Sequence, residues 1–455
     1  MPRIGIHIFR KDLRICDNLA LNQLSKTVDQ VVGLFIFDPQ QIDQTSSNKS
    51  HRSIYAAQFI VDAVNDLNGQ CDKKLIVAYG KPEMTIEALL ISIKPSSISF
   101  NADFTPYSLK RDSCIKTICE KHHVDCIINY DDQCLTEMNS LLKKDGTPYM
   151  VFGTFYKHLK NQSIKNPKTI KINWTKPRVS IQPFEWKKQL TTTMFGGRSE
   201  ALRLMKAYST STDSDLLTTN SSKLSAYLNQ GCVSIREVYS SLNRKGIQDT
   251  MRSVAWRDFF LCIYRFTENG NSYTKFIDNR YNQIKWPKIK LNEWRRFMTC
   301  DTGFLMIDAI MAELLQTGYI NNRARLLLGT FWIKYLLINP FDKEYGSQEG
   351  FSRLLVDCSS SQNKLNHQWL MGDLDFAGRR FGMRGSHPLT GRMIRCDNDL
   401  IKKFDPNYEY ISKWLPQFHG KTIKECKAMM KETNPMYQWR ERYTLYTNLF
   451  KTIDK

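Results

Sequence analysis

None of the 12 cysteines forms a C-x-x-C pair, and no zinc-ribbon or disulfide spacing can be drawn through them. Scattered thiols of this kind fit a reducing, intracellular compartment rather than a secreted chain. Cys119, His122, His123 and Cys126 cluster only loosely, so no metal site is expected there. Long apolar runs are missing too: Lys334 interrupts even LLLGTFWIKYLLI, and a membrane-spanning helix is not expected. The opening MPRIGIHIFRKDLR turns charged after one short strand, unlike a secretory leader. No G-x-G-x-x-G follows that strand, so a dinucleotide need not bind there, and no internal repeat is found. Acidic residues are in deficit. Against 65 Lys+Arg there are 45 Asp+Glu, a net charge of +20, which favours polyanionic partners, nucleic acid ahead of a membrane surface.

What is present is enough for two or three packed domains, with 455 residues and 42% hydrophobic side chains. Residues 4–9 (IGIHIF) and 31–39 (VVGLFIFDP) read as buried strands, and shorter ones follow at 75–78, 97–100 and 126–129. Helices are predicted from Leu19, with Asp17-Asn18 as its cap, and near 52–67, 83–93 and 107–121. Strands alternating with helices imply a Rossmann-like parallel sheet over residues 1–135. Residues 136–198 read as an interdomain linker, Lys-, Pro- and Thr-rich from about 160. Beyond it, residues 199–455 read as all-α, starting where Ser199 can cap a helix after Gly196-Gly197.

Three stretches of the helical half carry candidate chemistry. TTNSSKLSAYL (218–228) packs hydroxyls and Lys223 just ahead of a helix, which suits either a capping cluster or a phosphate site. MRSVAWRDFFLCIYRF (251–266) sets Trp256, Phe259, Phe260 and Ile263 on one helical face, the pattern of a core or of a stacking platform. Between Thr302 and Ile338 two apolar helical stripes flank a Gly-Tyr-Ile-Asn-Asn break, with Asn322, Arg323 and Arg325 heading the second. Polar groups at the head of a buried helix need partners, supplied by a neighbouring element or by a ligand.

The string TGFLMIDAIMAELLQTGYINNRAR (302–325) resembles the flavin-cradling core of the photolyase/cryptochrome family. FRKDLRICDNLAL, GTPYMVFGTFYKHL and KKFDPNYEYISKWLPQF resemble other patterns of that family, so the likeness spans nearly the whole chain. It implies an α/β antenna-type domain followed by an all-helical FAD-binding and DNA-lesion domain. FAD would be the cofactor, with its diphosphate on Ser221, Ser222, Lys223, Leu224 and Ser225. Tyr208, Arg257, Arg325, Asp357, Ser359 and Asn363 would also surround it, Asn363 facing flavin N5 and Asp357 pairing with Arg325. Trp256 and Trp369 would clamp a lesion whose polar edges meet Asn322, Arg323 and Ser253. An antenna, a folate or a deazaflavin, would sit in the sheet domain near residues 101–112. The implied activity is light-driven repair of cyclobutane pyrimidine dimers in damaged DNA by a monomer. The alternative is a cryptochrome-like photoreceptor without repair activity.

Two departures from the family pattern bear on that choice. Ser253 stands where such repair enzymes usually place a lesion-binding glutamate, and a neutral hydroxyl makes hydrogen bonds about half as strong as a charged group. The family's electron relay of three tryptophans is replaced by His367, Pro340 or Phe341, and Phe297, leaving Trp294, Trp332 and Tyr335 as another route. Residues 372–398 fit the family least; their Gly-Arg junctions suit a phosphate-touching loop or a solvated one.

Overall fold

The computed structural model describes residues 2–43, 52–186, 192–209, 217, 221–371, 397–431 and 435–449. Five strands, β1 (Ile4–Phe9), β2 (Gln30–Phe37), β3 (Ile76–Tyr79), β4 (Ser97–Asn101) and β5 (Asp125–Asn129), form one sheet in the order β3-β2-β1-β4-β5. Every pairing is parallel, with Ile6 opposite Val32 on one side and Ile98 on the other. Parallel strands need helical crossovers that cover both faces, and this is why β1 and β2 are near-continuous apolar runs. The sheet core is built from Ile8, Leu34, Ile76, Leu89, Phe100 and Ile115 among others. Crossover helices start on side-chain caps: Asn18 accepts from the Leu21 N–H, Ser53 from Ala56, and Thr105 from Ser108.

The chain forms two compact units. The first comprises residues 1–211, 222–267 and 356–361; the second comprises 212–221, 268–355 and 362–455. Helices of the first unit are tied to the sheet by buried charge. Arg14 donates to both oxygens of Asp132 at 2.8 and 2.9 Å, and Arg236 donates to Asp17 at 2.7 Å and to the Cys134 carbonyl at 2.6 Å. Gly231 has φ +66°, and a Cβ there would collide with the Lys11 carbonyl, so the chain can pass only as glycine.

One local expectation is corrected. Ser199 does not cap the Arg198–Ala207 helix; its cap position is Gly197, which makes no side-chain cap bond. Asp66, from the Ile54–Gln70 helix, takes over by accepting from the Arg198 and Ser199 backbone N–H groups and from the Ser199 hydroxyl. A carboxylate brought in from another element does the work more strongly than a local hydroxyl. Part of the stretch read as a linker, residues 172–183, pairs with the sheet. Trp174 bridges Val31 and Pro183 bridges Ala78, and Trp174 is buried, so the segment covers backbone that the short β3 leaves open.

In the second unit the Leu305–Thr317 helix ends at Gly318, with φ +68°, and the Asn322–Lys334 helix begins four residues after that glycine. Asp308 accepts from the Thr302 N–H and hydroxyl and from the Gly303 N–H. The carboxylate therefore closes its own helix entry. Among the described residues no helix is long and apolar enough to cross a membrane.

Candidate functional site

The candidate residues divide between the units. Tyr208, Ser222, Lys223, Leu224, Ser225, Ser253, Trp256, Arg257, Asp357 and Ser359 belong to the first, and Ser221, Asn322, Arg323, Arg325, Asn363 and Trp369 to the second.

In the first unit, buried Leu224 anchors the hydroxyl-rich stretch, and the Ser225–Asn229 helix starts beyond it. That helix has five residues, so its dipole is small and the side chains carry whatever affinity this loop has. Lys223 adopts φ +52°, a left-handed conformation that costs a non-glycine residue about 1 kcal/mol. Its ammonium and the Ser225 hydroxyl are exposed, and neither has a side-chain partner among the described residues. Lys223→Gly is therefore expected to keep stability within about 0.5 kcal/mol in urea unfolding, because the relieved strain offsets the entropy a glycine adds to the unfolded chain, while lowering retention of a phosphate-bearing cofactor through gel filtration. Unchanged retention would remove Lys223 from any such site.

The Gln248–Phe266 helix places three of the candidates. Trp256 is half-buried and stacks on Phe152 with centroids 3.8 Å apart and planes 6° apart, so that indole face is occupied. Ser253 is exposed, and its hydroxyl donates to the Asp249 carbonyl of the preceding turn at 3.2 Å. Arg257 turns inward and donates to the Gln133 carbonyl. Burial lowers its pKa, with Asp258 and Cys134 opposing that shift. The Tyr208 hydroxyl lies 3.0 Å from that of Thr250. Asp357 is buried, and Ser359 bonds Ser361 at 3.3 Å.

In the second unit Asn321 caps the Asn322–Lys334 helix by accepting from the Ala324 N–H, which leaves Asn322 and Arg323 exposed on the first turn. Arg323 lies over the Phe404 ring at 5.9 Å. Arg325 donates from Nε to the Ile320 carbonyl at 3.0 Å and lies over the Tyr319 ring. Ser221 bonds the Tyr319 hydroxyl at 3.1 Å. On the Ser360–Met371 helix, Asn363 donates one of its two amide N–H groups to the Gln348 carbonyl at 3.0 Å, which leaves the other N–H and the Oδ1 acceptor. One turn on, His367 stacks on Phe351, and burial pushes its pKa down to about 3, so the ring is neutral. Trp369 is half-buried near the end of the same helix. Most of the Gly-Arg-rich stretch 372–398, at 372–396, lies outside the described residues.

Trp294 and Trp332 are in contact, with centroids 5.2 Å apart; Trp332 also meets Phe351, which stacks on His367. Tyr335 stacks on Phe331 instead. Sequence reading missed Phe152, Asn321 and Gln348. Only Asn321 left a signal, as the first of two asparagines before an apolar stripe.

The family model described as DNA photolyase matches residues 5–171, and that described as the FAD binding domain of DNA photolyase matches residues 250–446. A deoxyribodipyrimidine photo-lyase of Alkalihalophilus pseudofirmus is 25% identical, over 95% of this chain and 92% of that protein. Cryptochrome-1 of Erithacus rubecula is 26% identical, over 91% of this chain and 70% of that protein. The crystal structure of an archaeal photolyase from Sulfolobus tokodaii with two FAD molecules superposes with a TM-score of 0.83 at 26% identity, covering 99% of this chain and all of that one.

Proposed function

Because this chain belongs to the photolyase/cryptochrome family, we propose that it is a flavin-dependent lyase that splits cyclobutane pyrimidine dimers in DNA under blue or near-ultraviolet light. The observation that carries the reading is the Asn363 amide. One of its two N–H groups is bonded to the Gln348 carbonyl, which fixes the amide plane and leaves its other N–H and its oxygen to meet a flavin ring nitrogen. Lys223 and Ser225, both without side-chain partners among the described residues, fit a diphosphate, with Ser221, Ser222 and Leu224 shaping the same loop. The chemistry that reduced FAD would supply there is light-driven, reversible one-electron donation.

The chain's own residues bind and orient. Tyr208, Arg257, Arg325, Asp357 and Ser359 would help hold the cofactor. Trp256 and Trp369 would flank the apolar faces of a dimer turned out of the duplex, whose weakened pairing lowers the cost of extrusion. Asn322, Arg323 and Ser253 would meet its polar edges. Re-reduction would draw on the Trp294–Trp332 pair. An antenna such as a folate or a deazaflavin would sit in the sheet region near residues 101–112.

One observation favours a photoreceptor instead: the Ser253 hydroxyl is already engaged by its own helix. The deciding experiment gives chemically reduced protein an oligothymidine strand carrying dimers and follows recovery of ultraviolet base absorbance. Recovery in blue light and none in darkness supports the lyase. No recovery, with reduced flavin bound, transfers the reading to the photoreceptor. Trp369→Ala is further expected to weaken binding of the damaged strand about tenfold, the loss of one stacked base, with flavin content unchanged. Equal affinity would remove Trp369 from the clamp.

A further inference from the structure

Beside Trp256 runs a second feature that the site described above does not use. The Phe152–Leu159 helix buries Phe152, Phe155 and Leu159 and turns Lys157 outward, with Tyr156 half-buried. Phe152 is stacked between neighbours, on Trp256 at 3.8 Å and on Tyr156 at 5.6 Å, which makes a continuous aromatic row. Two cations lie on that row. The Arg252 guanidinium sits 5.3 Å from the Phe152 centroid and 5.7 Å from that of Tyr156, and the Lys160 ammonium sits 5.2 Å from the Tyr156 centroid.

These charges are not neutralised. Exposed cations elsewhere in the same unit do find carboxylates, Arg203 with Glu200, Lys165 with Glu137 and Lys121 with Glu87. Arg252, Lys157 and Lys160 are exposed, and among the described residues none has a carboxylate within ion-pair distance. A ring face holds a cation in place with about 0.5–1 kcal/mol but uses none of its N–H groups, so the donors stay available to phosphate oxygens.

We infer that Arg252, Lys160 and Tyr156 form a sequence-independent track for the sugar–phosphate backbone of DNA, continuous with the indole of Trp256. The inference rests on the lesion-facing reading of Trp256. Cations spaced along stacked rings are the arrangement that holds a nucleic-acid strand by its phosphates while tolerating any base. The chain's net charge of +20 supplies the long-range attraction.

Fluorescence anisotropy with short labelled duplexes, one undamaged and one carrying a single dimer, tests the track. Arg252→Ala and Lys160→Ala are each expected to weaken binding of both duplexes several-fold and to leave their affinity ratio unchanged. Each should also reduce the slope of log K against log salt by about 1. Arg252→Lys should keep the slope. Native flavin content and circular dichroism exclude misfolding as the cause. An Arg252→Ala/Lys160→Ala double variant with native affinity and slope would overturn the track. If the unsubstituted protein binds both duplexes equally, the lesion reading fails while the variants still decide the track; if it binds neither, both fail.

Discussion

Arg236→Met is expected to destabilise the first unit by about 3–5 kcal/mol, the loss seen when one member of a buried ion pair is removed. Arg236 is 3% exposed and its guanidinium is spoken for on every side. Nε donates to Asp17 at 2.7 Å, one terminal nitrogen to the Cys134 carbonyl at 2.6 Å, and the other to the Asp17 carbonyl at 3.2 Å. Asp132 lies 3.8 Å away and is already shared with Arg14. A methionine would fill the volume but would leave the Asp17 carboxylate buried without its closest cation. Asp17 is itself held at φ +54°, a conformation that these two arginines enforce through its carbonyl. The urea midpoint measures the effect. A shift equivalent to less than about 1 kcal/mol would mean that the pair behaves as a surface bridge.

The second large effect is a pH dependence. Asp258 is fully buried on the Gln248–Phe266 helix; one oxygen accepts from the Leu135 N–H at 2.9 Å, and the other has no hydrogen-bond partner among the described residues. Burial pushes its pKa up to about 6, against the opposing pull of the Leu135 bond, Arg257 and Arg236. A raised carboxyl pKa means that the folded state holds an extra proton between about pH 4 and 6. Stability from this group is therefore present at low pH and is lost as pH rises through that window. At neutral pH its ionisation costs about 3 kcal/mol, two pKa units at roughly 1.4 each. Asp258→Asn keeps an acceptor for Leu135 and removes the titration. The variant should match the parent near pH 4 and exceed it by about 2–3 kcal/mol near pH 7. A constant difference across the range would show that Asp258 does not titrate there. Since the comparison is a difference, carboxylates shifted the other way cancel, such as Asp12, held down to about 2 with the help of its His7 bond against the cost of burial.

The two predictions also mark the limit of what residue types can say. The motif from Ser221 to Arg236 was legible as a pattern, yet its glycine and arginine are ties to the sheet. Arg236 meets Asp17 across 219 residues of chain, a pairing that nothing near either residue announces. Likewise Asp308, inside the string that resembles a flavin cradle, serves the helix entry by holding Thr302 and Gly303.

From its sequence alone this protein's strands, crossover helices and the Asn18 cap were determined. Such elements are set by hydrogen bonds and apolar spacings within a few residues, and Ile4–Phe9, Asn18 and the two helices from Leu305 to Lys334 follow directly. The family, and with it the chemistry proposed for Asn363 and Lys223, was legible for the same reason: motifs are local. Tertiary structure alone decided that Asp66 displaces Ser199 as a cap, that residues 172–183 cover the sheet edge, and that Phe152 takes one face of Trp256. It also decided that one N–H of the Asn363 amide goes to the Gln348 carbonyl. In each case the deciding partner comes from a distant part of the chain, and a buried polar group or ring settles on whichever partner the topology brings within reach.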